Sequence, residues 1–131
     1  YANSRGTGQI LHYIDLPTPD KKNLDKFMRT TFVKAIKREY DEYGVDIYDD
    51  NKGAADFLVG VNGRLFEIST NDWMVNEYDD YVATGSGGAF AIASLHTSSN
   101  WTNPERRIEK ALECAARFSP TCSYPFDILY I

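Results

Sequence analysis

The stretch "YVATGSGGAFAIASL", Tyr81 to Leu95, carries the residues best placed to do chemistry. A β-rich run enters Gly85-Ser86-Gly87-Gly88 and leaves as a small-residue helix, so the glycines fall at a helix N-terminus. There the first backbone N–H groups lack intrahelical partners and the positive end of the helix dipole is exposed. The amides of Ser86, Gly87 and Gly88 are therefore candidates to bind an anion or to orient a catalytic group. Three familiar motifs are excluded. No Lys follows the glycines as in a Walker loop. The first βαβ unit and ribose-binding acid of a dinucleotide fold are missing. "TGSGG" does not meet the G-x-S-x-G spacing of a hydrolase elbow. The plain alternative is a tight strand-to-helix turn in which glycine permits close packing.

The remaining residues complete no catalytic constellation. His12 and His96 fall in or beside helices, complete no pair with a Ser or Cys, and read as surface or core histidines. Cys114 belongs to a helix and Cys122 to the loop after it; two cysteines make no disulfide framework, and both read as reduced structural thiols. Asp46, Asp49, Asp50 and Asp56 lack the EF-hand spacing and its terminal Glu, so the segment reads as a solvated acidic loop. No metal and no cofactor are expected. Trp73, Trp101 and the nine tyrosines serve packing and surface.

These groups must be positioned by a chain of 131 residues, 43% hydrophobic and 25% charged, which fits one domain with a real core. A net charge of −5 with scattered Lys and Arg argues against nucleic acid and anionic membranes. The longest apolar run, Ala89 to Leu95, is far too short to span a bilayer, no signal-peptide pattern opens the chain, and a cytoplasmic location is expected. The chain opens on Tyr1, and "YANSRGTGQ" reads as a strand end entering a turn, as in a piece of a longer polypeptide.

Along the chain, "GQILHYIDL" from Gly8 spells a short helix stopped by Pro17 and Pro19. Asn23 to Tyr43 places Leu24, Phe27, Met28, Phe32, Ile36 and Tyr40 on one stripe of a long helix that Gly44 ends. "DFLVGVNGRLFEIS" is a hairpin turned at Asn62-Gly63, with both faces covered. "DWMVNEYDDYVATG" gives a strand, a turn at Asp79-Asp80 and a second short strand into the glycines. Helix follows over Ala89 to Leu95. "TNPERRIEKALECAARFS" is a helix capped by Thr102 or Asn103, with Ile108, Ala111, Leu112 and Ala115 on a narrow face that packs on another helix. "PFDILYI" alternates as a final strand. Helices on antiparallel hairpins predict a layered α/β (α+β) fold without an internal domain boundary.

"YVATGSGGAFAIASL" followed by "PERRIEKALECAARF" resembles the second half of proteasome β-type subunits, in particular the bacterial proteasome-like peptidase and its phage and actinobacterial relatives. "FLVGVNGRLFEI", "RFSPTCSYPFDIL" and "NSRGTGQILHY" are similar too. The resemblance covers nearly the whole chain, and its specific motif is the glycine corner with its flanks. It implies a four-layer αββα sandwich and an N-terminal nucleophile hydrolase of the threonine-peptidase kind. The family's nucleophile is an N-terminal Thr whose own α-amino group is the base, helped by an Asp and a Lys on early strands. The resemblance places all three before Tyr1, so residues 1–131 are expected to form a single proteasome-like domain of a longer chain.

Within the chain the resemblance assigns Ser86 to support the nucleophile's amine and Gly85, Gly87 and Gly88 to the turn. Asn3 and Ser4 fall where a backbone N–H forms the oxyanion hole. The implied partners are a peptide or protein substrate, the upstream segment that carries the nucleophile, and further copies in a homo-oligomeric ring. The family's other supporting acid aligns near Arg117, a departure that points to altered or lost activity. A non-catalytic proteasome-like binding or assembly module, phage-encoded, is the alternative. An unrelated α/β domain holding a phosphate at the glycine corner is a third reading.

Overall fold

The computed structural model describes residues 12, 14–16, 18, 19, 21–42 and 56–130. Of the expected helix from Gly8, residues 8–11 and 13 lie outside these residues, as does most of the acidic loop. The architecture is mixed α and β, with one three-stranded antiparallel sheet and helices among the described residues. The chain divides into two compact units, the first running to Asp79 and the second beginning at Asp80.

The first unit opens with a 3-10 turn, Lys21–Asn23, that runs into α1 (Leu24–Phe27), a π-helical segment Met28–Phe32, and α2 (Val33–Glu42). The π segment coincides with Thr30, whose hydroxyl donates back to the Lys26 carbonyl at 2.6 Å and competes with the backbone ladder. Leu24, Met28, Phe32, Ile36 and Tyr40 are buried, the stripe that helical periodicity predicts. They meet Phe57, Phe66, Ile68 and Val75 in one cluster, with the Phe32 and Phe57 rings 6.5 Å apart. Arg29 ties helix to sheet by donating to the Val75 carbonyl at 2.6 Å.

Strands β1 (Phe57–Val61) and β2 (Arg64–Ile68) are joined by Asn62 and Gly63 at φ of 50° and 74°, the two positive angles a type I′ turn demands. β3 (Val75–Tyr78) pairs with the far edge of β2, giving the order β1-β2-β3. Register puts Phe57 opposite Ile68, Ile68 opposite Val75 and Val59 opposite Phe66, so one face carries the core. The other face, with Leu58, Leu65, Glu67 and Tyr78, is only half-buried. The expectation that both faces are covered is corrected. Leu58 and Leu65 are apolar, but the helix can cover one side only, and Glu67 on the other keeps a polar role by accepting from the Tyr78 hydroxyl at 2.8 Å.

The loop after β2 is held by Ser69 N–H to Met74 C=O at 3.0 Å and by Asp56, which accepts from Thr70 N–H at 3.0 Å. It places Trp73 at φ 59°, a left-handed conformation unusual for an aromatic residue. The Trp73 ring meets Tyr40 edge-on at 5.4 Å, and that packing fixes the conformation.

The second unit is a pair of helices, α3 (Gly88–Thr97) and α4 (Pro104–Phe118). Asn103 caps α4 by accepting from Arg106 N–H at 3.0 Å, with Pro104 in the first turn. Arg107 near the start of α4 reaches Leu95 C=O near the end of α3, while Ala115 late in α4 lies against Gly87 at the start of α3. The helices therefore run antiparallel. Their shared core is small: Ala91, Leu95, Ala111 and Ala115. Ile108 and Leu112 do not complete that face as expected; Ile108 is 42% exposed, because a contact this close admits only alanine at its centre.

Two expected strands do not form among the described residues. Tyr81 to Thr84 is irregular, since Tyr81 is fixed by its side chain instead: its hydroxyl bonds His96 Nδ1 at 3.0 Å and its ring lies 5.8 Å from the Arg107 guanidinium. Pro125 to Tyr130 pairs with no described strand, and Leu129 and Tyr130 stay 86% and 73% exposed. Alternation makes a segment fit for a sheet, but only a free edge in reach makes it a strand.

Candidate functional site

The glycine corner forms as a tight turn. Gly85 sits at φ 89°, open only to glycine without strain, and Gly88 N–H closes the turn on Gly85 C=O at 2.9 Å. Gly87 occupies the cap position of α3, and its carbonyl accepts the first helical bond from Ala91 N–H at 3.1 Å. A Cβ at Gly87 would lie 2.6 Å from Cys122 Sγ and 2.9 Å from Ala115 Cβ. Gly87 is glycine because the end of α4 presses on it. A Cβ at Gly88 would come within 3.1 Å of the Ala83 carbonyl.

Ser86 is exposed, and no described side chain caps α3. Its hydroxyl turns instead to residues that follow α4. It bonds Thr121 Oγ1, and it accepts from Ser119 Oγ at 3.3 Å. Ser119 and Thr121 are themselves 3.1 Å apart, and Cys122 Sγ lies 4.0 Å from Ser86 Oγ. Three hydroxyls and a thiol thus converge where the C-terminus of α4 meets the N-terminus of α3. Ser119 is 4% exposed and forms the floor, while Ser86 and Thr121 reach solvent. The floor is fixed by backbone: Ser119 N–H donates to Ala115 C=O at 2.8 Å and Cys122 N–H to Ser119 C=O at 3.2 Å.

The structure therefore gathers Gly85, Ser86, Gly87 and Gly88 and adds Ser119, Thr121 and Cys122, which the sequence did not place in the site. Ser119 and Thr121 lie 33 and 35 residues from Ser86, so no spacing links them. The signal present was indirect: Ala115 and Gly87 are both small, and small residues mark the point where two helices cross. Arg117 is exposed in the last turn of α4, and no carboxylate is among the described partners of the hydroxyl cluster. Asn3 and Ser4 lie outside the described residues. His96, at the opposite end of α3, takes no part in the cluster.

Chemically the cluster is a polar support. Nothing in it is an activated nucleophile, since no His, Lys or carboxylate is within hydrogen-bonding reach of Ser86 among the described residues. Among the described residues no group of His, Cys, Asp and Glu is arranged to hold a metal ion, and no helix is long and apolar enough to cross a membrane. Compared with known proteins, the chain matches no family model, no curated protein and no solved structure.

Proposed function

We propose that the chain is the later part of a proteasome-like threonine peptidase subunit, in which Ser86 supports the α-amino group of a nucleophile carried by an upstream segment. The observation that carries this reading is the corner itself. An exposed serine hydroxyl sits at the head of a helix, backed by the buried Ser119 hydroxyl, on an antiparallel helix pair that closes on Gly87 and Ala115 at this corner. On this reading the support serves a reacting group delivered to it from elsewhere. The one-sided sheet is compatible with the reading: an αββα sandwich stacks two sheets, each with helices on its outer face, and the half-open face with Leu58, Leu65 and Tyr78 is where a second sheet would stack.

The test begins with the upstream coding sequence, expected to supply a segment processed to begin with Thr, Ser or Cys; an initiator codon directly before Tyr1 removes the reading. The longer polypeptide is then assayed on fluorogenic peptides. Turnover abolished by an inhibitor of N-terminal threonine nucleophiles, and a Ser86→Ala variant that lowers kcat more than it raises KM, are the expected results.

A second reading is favoured by one observation. By the resemblance the family's other supporting acid aligns near Arg117, and the cluster has no carboxylate partner among the described residues. On that reading the protein is a proteasome-like binding or assembly module without peptidase chemistry, and the same assay returns no inhibitor-sensitive turnover.

A further inference from the structure

We propose that the outer face of the helical segment running from Lys21 to Glu42 is a docking surface for an acidic polypeptide segment, bound in extended form along a row of cations. Leu24, Met28, Phe32, Ile36 and Tyr40 recur every four residues, and all are buried. Positions shifted from that stripe by two residues fall on the opposite side of the helix. They read Lys22, Lys26, Thr30, Lys34 and Arg38, a row with no acid in it. In an α-helix of about 3.6 residues per turn, a four-residue spacing drifts round the axis. The wider π segment Met28–Phe32 takes back part of that drift and keeps the core stripe and the cation row close to straight.

Lys26, Lys34 and Arg38 are exposed, and so is Lys37 beside them. Arg38 is shared with Glu39 at 3.0 Å and Glu42 at 3.8 Å, and Asp25 is taken by Arg29 at 2.8 Å. No described carboxylate pairs with Lys26, Lys34 or Lys37. Lys34 stands three residues from Lys37 and four from Arg38 in α2, where like charges destabilise a helix. From Lys21 to Arg38 there are seven basic residues and one acidic residue, a net +6 within a chain of net −5, which leaves −11 on the other residues. A short anion gains from the local field, and a long polyanion meets the acidic remainder. The spacing favours a peptide. Each four-residue step rises about 6 Å, and side chains on one side of an extended chain recur about every 6.6 Å, so carboxylates on alternate residues meet successive turns. Single-stranded nucleic acid binds through aromatic platforms as well as cations, and the row holds no aromatic residue. The apolar side of the helix is used in the core, which leaves nothing to insert into a lipid surface.

Titration calorimetry at low ionic strength tests the surface with three probes: a short peptide in which Glu alternates with Thr, its Gln counterpart, and a short oligothymidylate. Saturable binding of the Glu peptide that added salt weakens, and no binding of the Gln peptide, are expected. Lys26→Gln and Lys34→Gln should each weaken binding by about two- to fivefold. Their effects should multiply, because the two residues stand about 12 Å apart along the axis. Lys110→Gln on α4 removes the same charge elsewhere and should leave binding unchanged. Equal loss with Lys110→Gln, no binding of the Glu peptide, or tighter binding of the oligothymidylate overturns the proposal, as does self-association of the chain that Lys34→Gln abolishes. Thermal unfolding without peptide supplies the second readout. Lys34→Gln relieves like-charge repulsion and should not lower the midpoint; a lowered midpoint makes the row structural and also overturns the docking role. Neither readout needs peptidase turnover, so failure here leaves the peptidase reading where it stands.

Discussion

A methyl group at position 87 has nowhere to go: Cys122 Sγ and Ala115 Cβ already fill the place it needs, at 2.6 and 2.9 Å. Overpacking of this kind forces the α3/α4 pair apart at the corner, and Gly87→Ala is expected to cost about 1–3 kcal/mol in denaturant unfolding. Shortening Cys122 to Ala in the same protein should recover only part of that, because the Ala115 Cβ is fixed to helix backbone. Asn103 is a different kind of single-residue determinant. Its Oδ1 serves one of the unpartnered N–H groups of α4, so Asn103→Ala is expected to cost about 1 kcal/mol by the same measurement. The sequence narrowed the cap to Thr102 or Asn103 ahead of Pro104, whereas the need for glycine at 87 depends on a residue 35 positions later in the chain.

At the scale of elements, the sheet ends in an ion pair that responds to acid. Arg64 donates through Nε and Nη2 to the two carboxylate oxygens of Glu77, each at 2.5 Å, and its guanidinium lies 5.3 Å from the centre of the Phe66 ring. The hydrogen bond from Arg64 holds the Glu77 carboxyl below its ordinary range. A depressed carboxylate contributes stability above the unfolded-state pKa and loses it as pH falls through the folded-state value. Stability should therefore drop below the ordinary glutamate range, and Glu77→Gln should flatten that part of the profile; an unchanged acid limb in chemical denaturation across pH would refute the role. The pair is about one-third exposed, so added salt should weaken it.

At the scale of the molecule, the two units are built to different strengths. Among the described residues the first buries Phe57, Phe66, Tyr40, Ile36 and Met28 in a ten-residue core, whereas the second closes on three alanines and one leucine. Stabilisation scales with apolar area removed from water, so the second unit gains less. Native-state hydrogen exchange should accordingly show the amides of α3 and α4 opening at lower free energy than those of β2, and equal protection would contradict this account. A unit held this lightly is suited to a site completed by another segment, which fits the proposed role of the corner as a support.

By itself the sequence determined the local features. The helical stripe from Leu24 to Tyr40, the Asn62-Gly63 turn, the capped start of α4 and the turn at Gly85 to Gly88 all follow from periodicity, φ preference and capping, which act within a few residues. The tertiary structure decided what depends on distant partners. It left Pro125 to Tyr130 without a described strand partner, fixed Tyr81 through His96 and Arg107 instead of a sheet, and left one face of the sheet half-open. It also brought Ser119 and Thr121 to Ser86. Hydroxyl hydrogen bonds have no period in sequence; only the antiparallel run of α3 against α4 puts the end of one helix beside the start of the other.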